Sequence, residues 1–383
     1  MSEAVWEERQ LGELATFEYG ASLPSGARTG DDHPVFGSSG EVGRHTAALV
    51  RGPGIVVGRK GTVGALTWSD EDFWPIDTTY YVKAIAGVNL RWLYWAMSRL
   101  GLRLLDSSTG VPGLNRNDAY ERAVAVPSEG EQQRIAEILD SLDHQISMSR
   151  KIVGKLTLTQ WGLLESTFTR LTIPGQATTD SPISSVLSHL IDFRGRTPKK
   201  LGLDWGGGEI LALSANNVQM GLIDRSKEAY YGSDRLYKAW MTNGSPRRGD
   251  VLITLEAPLG NVAQIPDEAR YILSQRVVLL RFDEAQVLNG YAYWALRSEQ
   301  FQRSLVRKST GTTASGIRRA ELERLSFPFP RLREQEVIVA QLSALQTLID
   351  TERARLSKLR SLSAGLKADL LSGRVRIQRG SIS

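Results

Sequence analysis

The stretch EQQRIAEILDSLDHQISMSRKIVGKLTLTQWGLLEST, from Glu131 to Thr167, decides the organisation of this 383-residue chain. Large apolar residues recur in it at alternating steps of four and three, which is the rhythm of a coiled-coil seam. The stretch from Glu334 to Leu370 has the same rhythm in the same register. The sequence therefore predicts two long helices that pack together and offer a surface to partners. The seam residues are Ile135, Leu139, Leu142, Ile146, Val153, Leu156, Leu163, Ile338, Leu342, Leu345, Ile349, Leu356, Leu359 and Leu366.

The same short pattern precedes each helix, a proline followed by Glu-Gln and an isoleucine. Its two copies are Pro127, Glu131, Gln132 and Ile135, and Pro330, Glu334, Gln335 and Ile338. Landmarks outside the helices also recur: Tyr94-Trp-Ala96 with Tyr293-Trp-Ala295, and Ser108-Thr-Gly110 with Ser309-Thr-Gly311. A repeat of about two hundred residues is too long for a solenoid unit, so the pattern indicates an internal duplication.

The segments outside the long helices carry mixed signals. Gly54-Ile-Val-Val-Gly58 is typical of a buried strand, whereas Leu90 to Leu105 and Leu11 to Phe17 have helical spacing. We therefore predict a mixed α/β (α+β) fold, with two pseudo-repeated globular domains joined and separated by two long antiparallel helices. The predicted parts are a first globular domain at 1–128, a first long helix at 129–170, a linker at 171–182, a second globular domain at 183–331, a second long helix at 332–373 and a basic tail at 374–383.

Composition narrows the class of protein. The absence of cysteine excludes disulfides and thiol nucleophiles and is typical of a reducing cytosol. The charged segment from Met1 to Leu14 is unlike a signal peptide, and no apolar run reaches membrane-spanning length. These features predict a cytoplasmic protein without a membrane partner. The formal charge of +5 favours an acidic partner such as nucleic acid only slightly.

Motifs for catalysis are missing from the sequence. There is no phosphate-binding P-loop, no Gly-x-Ser-x-Gly elbow, and no pair of the four histidines at metal-ligand spacing. Asp250 and Glu256 do not form the acidic-x-Lys cluster that a metal-dependent nuclease needs. We therefore expect no catalytic residue, metal site or cofactor in this chain.

Arginine, lysine and amide side chains collect in the loops of both globular domains. For any one of them a solvated surface charge is the simpler interpretation. Together they favour DNA, because Arg and Asn make paired contacts to guanine and adenine while Lys and Thr hold phosphates. The candidate DNA-binding residues are Arg28, Arg44, Arg59, Lys60, Asn115, Arg116, Arg194, Arg196, Lys199, Lys200, Asn216, Asn217, Arg276, Lys308 and Thr312.

The length of the helices suggests how such loops would be used. About forty residues at ~1.5 Å per residue make a rod of roughly 60 Å. Binding sites on DNA repeat about every 34 Å per helical turn. Two domains held apart by antiparallel rods are expected to recognise a split sequence, in which two short elements flank a spacer of fixed length.

With its duplicated Pro-x-x-x-Glu-Gln-x-x-Ile pattern and its Ser-Thr-Gly landmarks, the chain resembles the specificity subunit of type I restriction–modification systems. A Gly-x-x-Pro at Gly195 to Pro198 agrees, although the first domain has one extra residue between Gly20 and Pro24. The resemblance implies two target recognition domains, each reading half of a bipartite site in double-stranded DNA, and a coiled coil that sets the spacer. It also implies that two methylation subunits dock on the chain and supply S-adenosylmethionine and catalysis, with a restriction subunit as an optional further partner.

Three other functions stay open at this point. One is an intrinsic nuclease or methyltransferase, which activity of the pure chain with a metal or a methyl donor would establish, and we expect none. The chain could serve a different defence or methylation system, which neighbouring genes would reveal. It could also be a coiled-coil scaffold whose domains bind protein, which pull-downs in the absence of DNA would reveal.

Overall fold

The computed structural model describes residues 6–105, 113–173, 178–310 and 316–377. The chain divides into two compact units, one formed by Met1–Lys151 with Arg353–Ser383 and the other by Ile152–Glu352. Each unit is rich in strands, and two long helices contribute residues to both, so the predicted mixed α/β class is confirmed. Among the described residues, no helix is both long enough and apolar enough to cross a membrane.

The first unit starts with short strands and ends on a long helix. The strands are β1 Glu7–Gln10, β2 Ala15–Tyr19, β3 His33–Gly37, β4 Gly40–His45, β5 Gly54–Gly58, β6 Leu66–Ser69, β7 Trp74–Pro75, β8 Thr79–Ala84 and β9 Ala123–Val126. The helices are α1 Leu90–Met97, α2 Arg116–Tyr120 and the long α3 Glu129–Leu171, whose later part belongs to the second unit.

The second unit repeats this content. Its strands are β10 Thr179–Pro182, β11 Leu187–Asp192, β12 Ile210–Leu213, β13 Val218–Gln219, β14 Leu222–Ile223, β15 Tyr230–Gly232, β16 Val251–Leu255, β17 Leu259–Gln264, β18 Tyr271–Leu273, β19 Val277–Phe282 and β20 Ser326–Phe329. Its helices are α4 Asp234–Trp240, α5 Asn289–Arg297, α6 Glu299–Lys308, α7 Arg319–Arg324 and the long α8 Leu332–Ser372, whose later part belongs to the first unit.

The sheets of the two units have the same plan. Each unit has a four-stranded antiparallel sheet, ordered β2-β8-β5-β6 in the first and β11-β19-β16-β17 in the second. Each also has a three-stranded sheet with one parallel pair, β3 with β7 and β12 with β18. A two-stranded sheet joins the first and last strands of each unit, β1 with β9 and β10 with β20. The internal duplication inferred from the sequence is therefore present in the topology.

The predicted helix from Leu11 to Phe17 is wrong. A 3₁₀ turn covers Leu11–Glu13, and the chain then enters β2, which pairs with β8. Within β2 the side chains of Ala15 and Phe17 are buried and that of Thr16 is exposed, which is the two-residue period of a strand. In a segment of only five residues, the helical spacing of the side chains is a weaker determinant of structure than the hydrogen bonds to β8.

The repeated Glu-Gln of the lead-in has a structural explanation. Gln132 is buried, donates to the carbonyl of Pro127 at 3.0 Å and accepts from the backbone N–H of Asn89 at 2.8 Å. Gln335 is buried too, donating to the carbonyl of Pro330 and accepting from the N–H of Leu288, both at 2.9 Å. Each glutamine thus ties the start of a long helix to the globular part before it.

In each unit the two long helices run antiparallel to each other. In the first unit Ile135 and Leu139, near the start of α3, share a buried cluster with Leu370 near the end of α8. In the second unit Phe168 shares a cluster with Ile338. All fourteen predicted seam residues are buried or half-buried, as the heptad rhythm requires, whereas their role toward partners stays a prediction.

The residues that follow α8 fold back onto the start of α3 within the first unit. Arg376 forms a salt bridge with Glu131, with 2.9 Å between Nε and Oε1, and lies over the ring of Trp6 at 5.2 Å. Burial alone would raise the pKa of Glu131, but the hydrogen bonds and charge of Arg376, together with Ser128, outweigh it and lower that pKa. The ionised pair therefore stabilises the folded state.

Replacing Glu131 by Gln is expected to lower the free energy of unfolding by about 1–2 kcal/mol at pH 7. Because the folded-state pKa of Glu131 is lowered, the contribution is complete above the unfolded pKa of about 4.3 and disappears as the pH falls through the folded value. Urea unfolding of both proteins between pH 3 and pH 7 measures this. Glu137→Gln, on the exposed face of the same helix, is the control. A deficit of equal size at pH 3 would contradict the prediction.

Candidate nucleic-acid interface

In the first unit, an exposed tyrosine lies between two arginines. The ring of Tyr19, which is 51% exposed, has the guanidinium of Arg59 at 4.9 Å from its centroid and that of Arg116 at 5.4 Å. Tyr80 packs against Tyr19 from the sheet, with 5.1 Å between centroids. We call Tyr19, Arg59, Arg116 and the neighbouring Lys60 the first basic patch; it combines an aromatic face with three positive charges.

Backbone geometry places the side chains of this patch. Arg59 follows the last residue of β5, and its N–H donates to the carbonyl of Thr78 at 2.9 Å. The carbonyl of Arg59 accepts from Leu114 N–H at 2.8 Å, and Asn115 then caps α2 by accepting from the N–H of Asn117. Arg116 is the first residue of that helix, so residues from β5 and α2 meet although they are distant in the sequence.

Two predicted residues of the first unit bind the protein itself. Arg28 donates to the carbonyl of Val42 at 2.7 Å, and Arg44 donates to the carbonyl of Asp31 at 2.8 Å and contacts Glu71 at 3.3 Å. Their guanidinium groups hold the loops around β3 and β4 in place. In the first basic patch, Arg59 uses one donor on the carbonyl of Asp77 at 3.1 Å, while Lys60 and Arg116 are exposed, so that patch is better suited to a phosphate.

In the second unit, the loop at 194–200 is similarly tied down. Arg194 forms a two-bond salt bridge with Asp192, with 2.7 Å between Nη2 and Oδ2. Burial would raise the pKa of Asp192, but this arginine outweighs it and lowers that pKa. Arg196 donates to the carbonyl of Trp240, and Lys200 donates to that of Gly195 at 2.8 Å. Lys199 and Lys200 are both exposed.

The remaining predicted residues of the second unit differ in accessibility. Asn216 and Arg276 are exposed and line a common pocket, while Lys308 is exposed at the end of α6. Asn217 is completely buried, accepts from the Ser214 hydroxyl at 3.0 Å and so braces a turn. A base contact by Asn217 does not fit this burial. Thr312 lies outside the described residues.

Three aromatic residues of these surfaces were absent from the sequence-based list. They are Tyr19 in the first basic patch, and Trp205 and Tyr230, which stack on each other in the second unit with 5.3 Å between centroids. Their signal in the sequence is weak, since a large aromatic residue is more often part of the core than of a binding surface. Within the described part of the chain, no three acidic or histidine side chains cluster as a metal site would require.

Comparison with known proteins identifies the family of the chain. A family model described as "Type I restriction modification DNA specificity domain" matches residues 3–158 and 187–361. The chain is similar to the type I restriction enzyme MjaVIII specificity subunit of Methanocaldococcus jannaschii, with 23% identity over 292 residues that cover 72% of this chain and 68% of that one. Its match to the EcoprrI specificity subunit of Escherichia coli has 28% identity and covers 29% of this chain and 28% of that one.

Solved structures resemble the whole fold. The S subunit of a type I restriction–modification system from M. genitalium superposes with a TM-score of 0.71 at 13% identity, covering 97% of both chains. A chain from a structure of type I restriction–modification complex assembly gives a TM-score of 0.52 at 14% identity, covering 97% of this chain and 99% of that one. At these identities the likeness extends to the fold.

Proposed function

Because this chain belongs to the family of type I restriction–modification DNA specificity domains, we propose that its two units each read one half of a bipartite site in double-stranded DNA. The chain is a specificity subunit, whose role is recognition of a DNA sequence and whose family is not itself catalytic. Our proposal adds that the recognised sequence consists of two half-sites separated by a spacer of fixed length.

The observation that carries the proposal is that equivalent positions of the two four-stranded sheets place an arginine differently. In the first unit Arg59 N–H donates to Thr78 at the end of β5, and in the second unit Leu255 N–H donates to the carbonyl of Arg276 at the end of β16. The same backbone hydrogen bond is present in both units. The arginine is the donor residue in the first unit and the acceptor residue in the second. One frame with two different surfaces is what reading two different half-sites requires.

The two long helices supply the proposed docking surface for methylation subunits. In the second unit, a groove of about 680 Å³ lies between the end of α3 and the start of α8, and its lining mixes apolar and charged residues. Leu158 and Trp161 on α3 are 69% and 58% exposed. Exposed apolar residues beside a charged rim favour a protein partner. We propose two methylation subunits, carrying S-adenosylmethionine, and a restriction subunit as an optional partner.

Mapping of methylated bases in the host genome, with and without this gene, tests the proposed function. The expected result is one motif with two defined elements and a spacer of fixed length, which is lost on deletion of the gene. A motif with a single continuous element would contradict the bipartite reading. Recovery of protein partners with no methylated motif would favour the scaffold.

The double variant Arg59→Gln with Arg116→Gln is expected to weaken DNA binding by the assembled complex. Two lost phosphate contacts make the plot of log K against log salt shallower by about two. Titration of a fluorescent duplex at several salt concentrations measures the slope. Arg9→Gln, which removes a surface pair with Glu13 in the same unit, is the control. An unchanged slope in the double variant would remove the first basic patch from the interface.

A further inference from the structure

A pocket of about 450 Å³ in the second unit is lined by aromatic, amide and cationic side chains. The exposed ring of Tyr230 stacks on Trp205 with 15° between planes, and Trp205 in turn contacts the buried Trp240 at 5.5 Å. The aromatic wall is therefore continuous with the core and rigid. We call this the stacked-wall pocket; its lining includes Trp205, Asn216, Tyr230, Pro258, Gln275 and Arg276.

Backbone strain is concentrated at the same pocket. Among the described residues, the only non-glycine residues with a left-handed φ are Ala257, at 40°, and Arg276, at 67°, and both line the stacked-wall pocket. Such conformations are unfavourable for residues with a side chain and persist where the surrounding fold imposes them, often at functional sites. Here the carbonyl of Arg276 accepts from Leu255 N–H at 2.9 Å, which ties the strained residue to the end of β16, just before β19 begins.

The guanidinium of Arg276 is available to a ligand. Its ion-pair partner is Glu256, at 3.6 Å from Nε to Oε1, which is beyond ordinary hydrogen-bond distance, and both side chains are half exposed. Arg194 and Arg196 in the same unit instead use their guanidinium groups to hold the fold. The backbone of Arg276 is therefore fixed, while the N–H donors of its guanidinium are exposed next to the carboxylate of Glu256.

We propose that the stacked-wall pocket reads one guanine–cytosine pair in the half-site of the second unit, an assignment that rests on the proposed function. Arg276 donates two hydrogen bonds to O6 and N7 of the guanine, which its planar fork matches. Glu256 accepts from the N4 amino group of the paired cytosine. The Trp205–Tyr230 wall excludes water from this contact and limits the positions that the DNA can take.

Duplexes of the mapped site test the assignment, with full-length chain in complex with its methylation subunits. One guanine at a time in the second half-site is replaced by 7-deazaguanine, which removes the N7 acceptor and keeps base pairing. At one position wild type is expected to lose affinity by about tenfold or more, within the range for a paired arginine–guanine contact. Arg276→Ala is expected to show no further loss at that position, because the contact is already gone.

The variant Arg276→Lys keeps the charge and removes the fork, so it separates recognition from general attraction. Methylation mapping of this variant is expected to show relaxed choice of base at that one position, with the first half-site unchanged. Arg303→Lys, on the surface of α6 in the same unit, is the matched control. The assignment is overturned if Arg276→Lys leaves the motif intact. It is also overturned if 7-deazaguanine weakens binding by Arg276→Ala as much as binding by wild type at every guanine tested.

These outcomes are distinguishable from failure of the proposed function. A wild-type complex with no bipartite motif contradicts the proposed function whatever the variants do. A wild-type complex with such a motif, read equally well by the Arg276 variants, contradicts only the role of the stacked-wall pocket.

Discussion

Replacing Asp250 by Ala is expected to lower the free energy of unfolding of the second unit by about 3–5 kcal/mol, the effect of breaking a buried ion pair by removing one partner. The side chain of Asp250 is 2% exposed and binds Arg281 through two hydrogen bonds, at 2.8 Å to Nε and 2.6 Å to Nη2. It also accepts from the backbone N–H of Arg247 at 2.7 Å. Removing the carboxylate leaves the largely buried guanidinium of Arg281 without its counter-ion, and the backbone N–H of Arg247 without its acceptor.

Hydrogen exchange of the backbone amides in β16 and β19 measures this loss, because Asp250 directly precedes β16 and Arg281 lies in β19. Asp234→Ala is the control: Asp234 pairs with Arg270 at 2.7 Å on the surface, where such a pair contributes at most about 1 kcal/mol. A double replacement, Asp250→Leu with Arg281→Met, is expected to recover much of the stability, since apolar residues of similar volume can replace a buried pair. Equal losses for Asp250→Ala and Asp234→Ala would show that the buried pair is not an anchor.

An insertion of four residues in α3 near Gly154 is expected to abolish recognition of the original bipartite site and to create recognition of a site with a longer spacer. Four residues add about 6 Å to a helix, which is about one turn. The half-site sequences are expected to remain as they were, because the inserted residues lie outside both globular parts. Mapping of methylated bases in the host genome measures the spacer length and the half-site sequences in one experiment.

A substitution without insertion is the control for this experiment. Gly154→Ala adds a Cβ that has no atom within 4 Å apart from the backbone of its own helix, and it leaves the length of the helix unchanged. We expect its motif to match that of wild type. If the insertion alters either half-site instead of the spacer, the helices do not act as the separator.

The long helices were predictable because their signal is periodic and long. Seven apolar seam residues in each copy repeat one rhythm, so a polar residue at a seam position, such as Gln160 between Leu156 and Leu163, does not disturb it. The structure gives that exception a partner: Gln160 donates to the carbonyl of Leu342 and to Gln346, both at 3.2 Å. Sequence spacing placed the polar residue in the seam, whereas its partner on the antiparallel helix required coordinates.

The candidate site was much less predictable. Residue type selected Arg28, Arg194 and Arg276 alike. Of these three, only Arg276 has a guanidinium that lies beyond hydrogen-bond distance of its partner, Glu256. The difference depends on which carbonyl or carboxylate the fold brings near, and that partner can be distant in the chain. For the same reason β2 was mistaken for a helix, since its pairing with β8 spans more than sixty residues.

The buried glutamines at the starts of α3 and α8 bear on how such proteins diversify. The hydrogen bonds of Gln132 go to backbone groups of Asn89 and Pro127, and those of Gln335 go to backbone groups of Gln286, Leu288 and Pro330. Backbone groups are the same in every amino acid apart from the missing N–H of proline. A foreign recognition domain that follows the same main-chain path would therefore meet the same anchor, so genetic exchange of whole domains has a structural junction that tolerates almost any sequence.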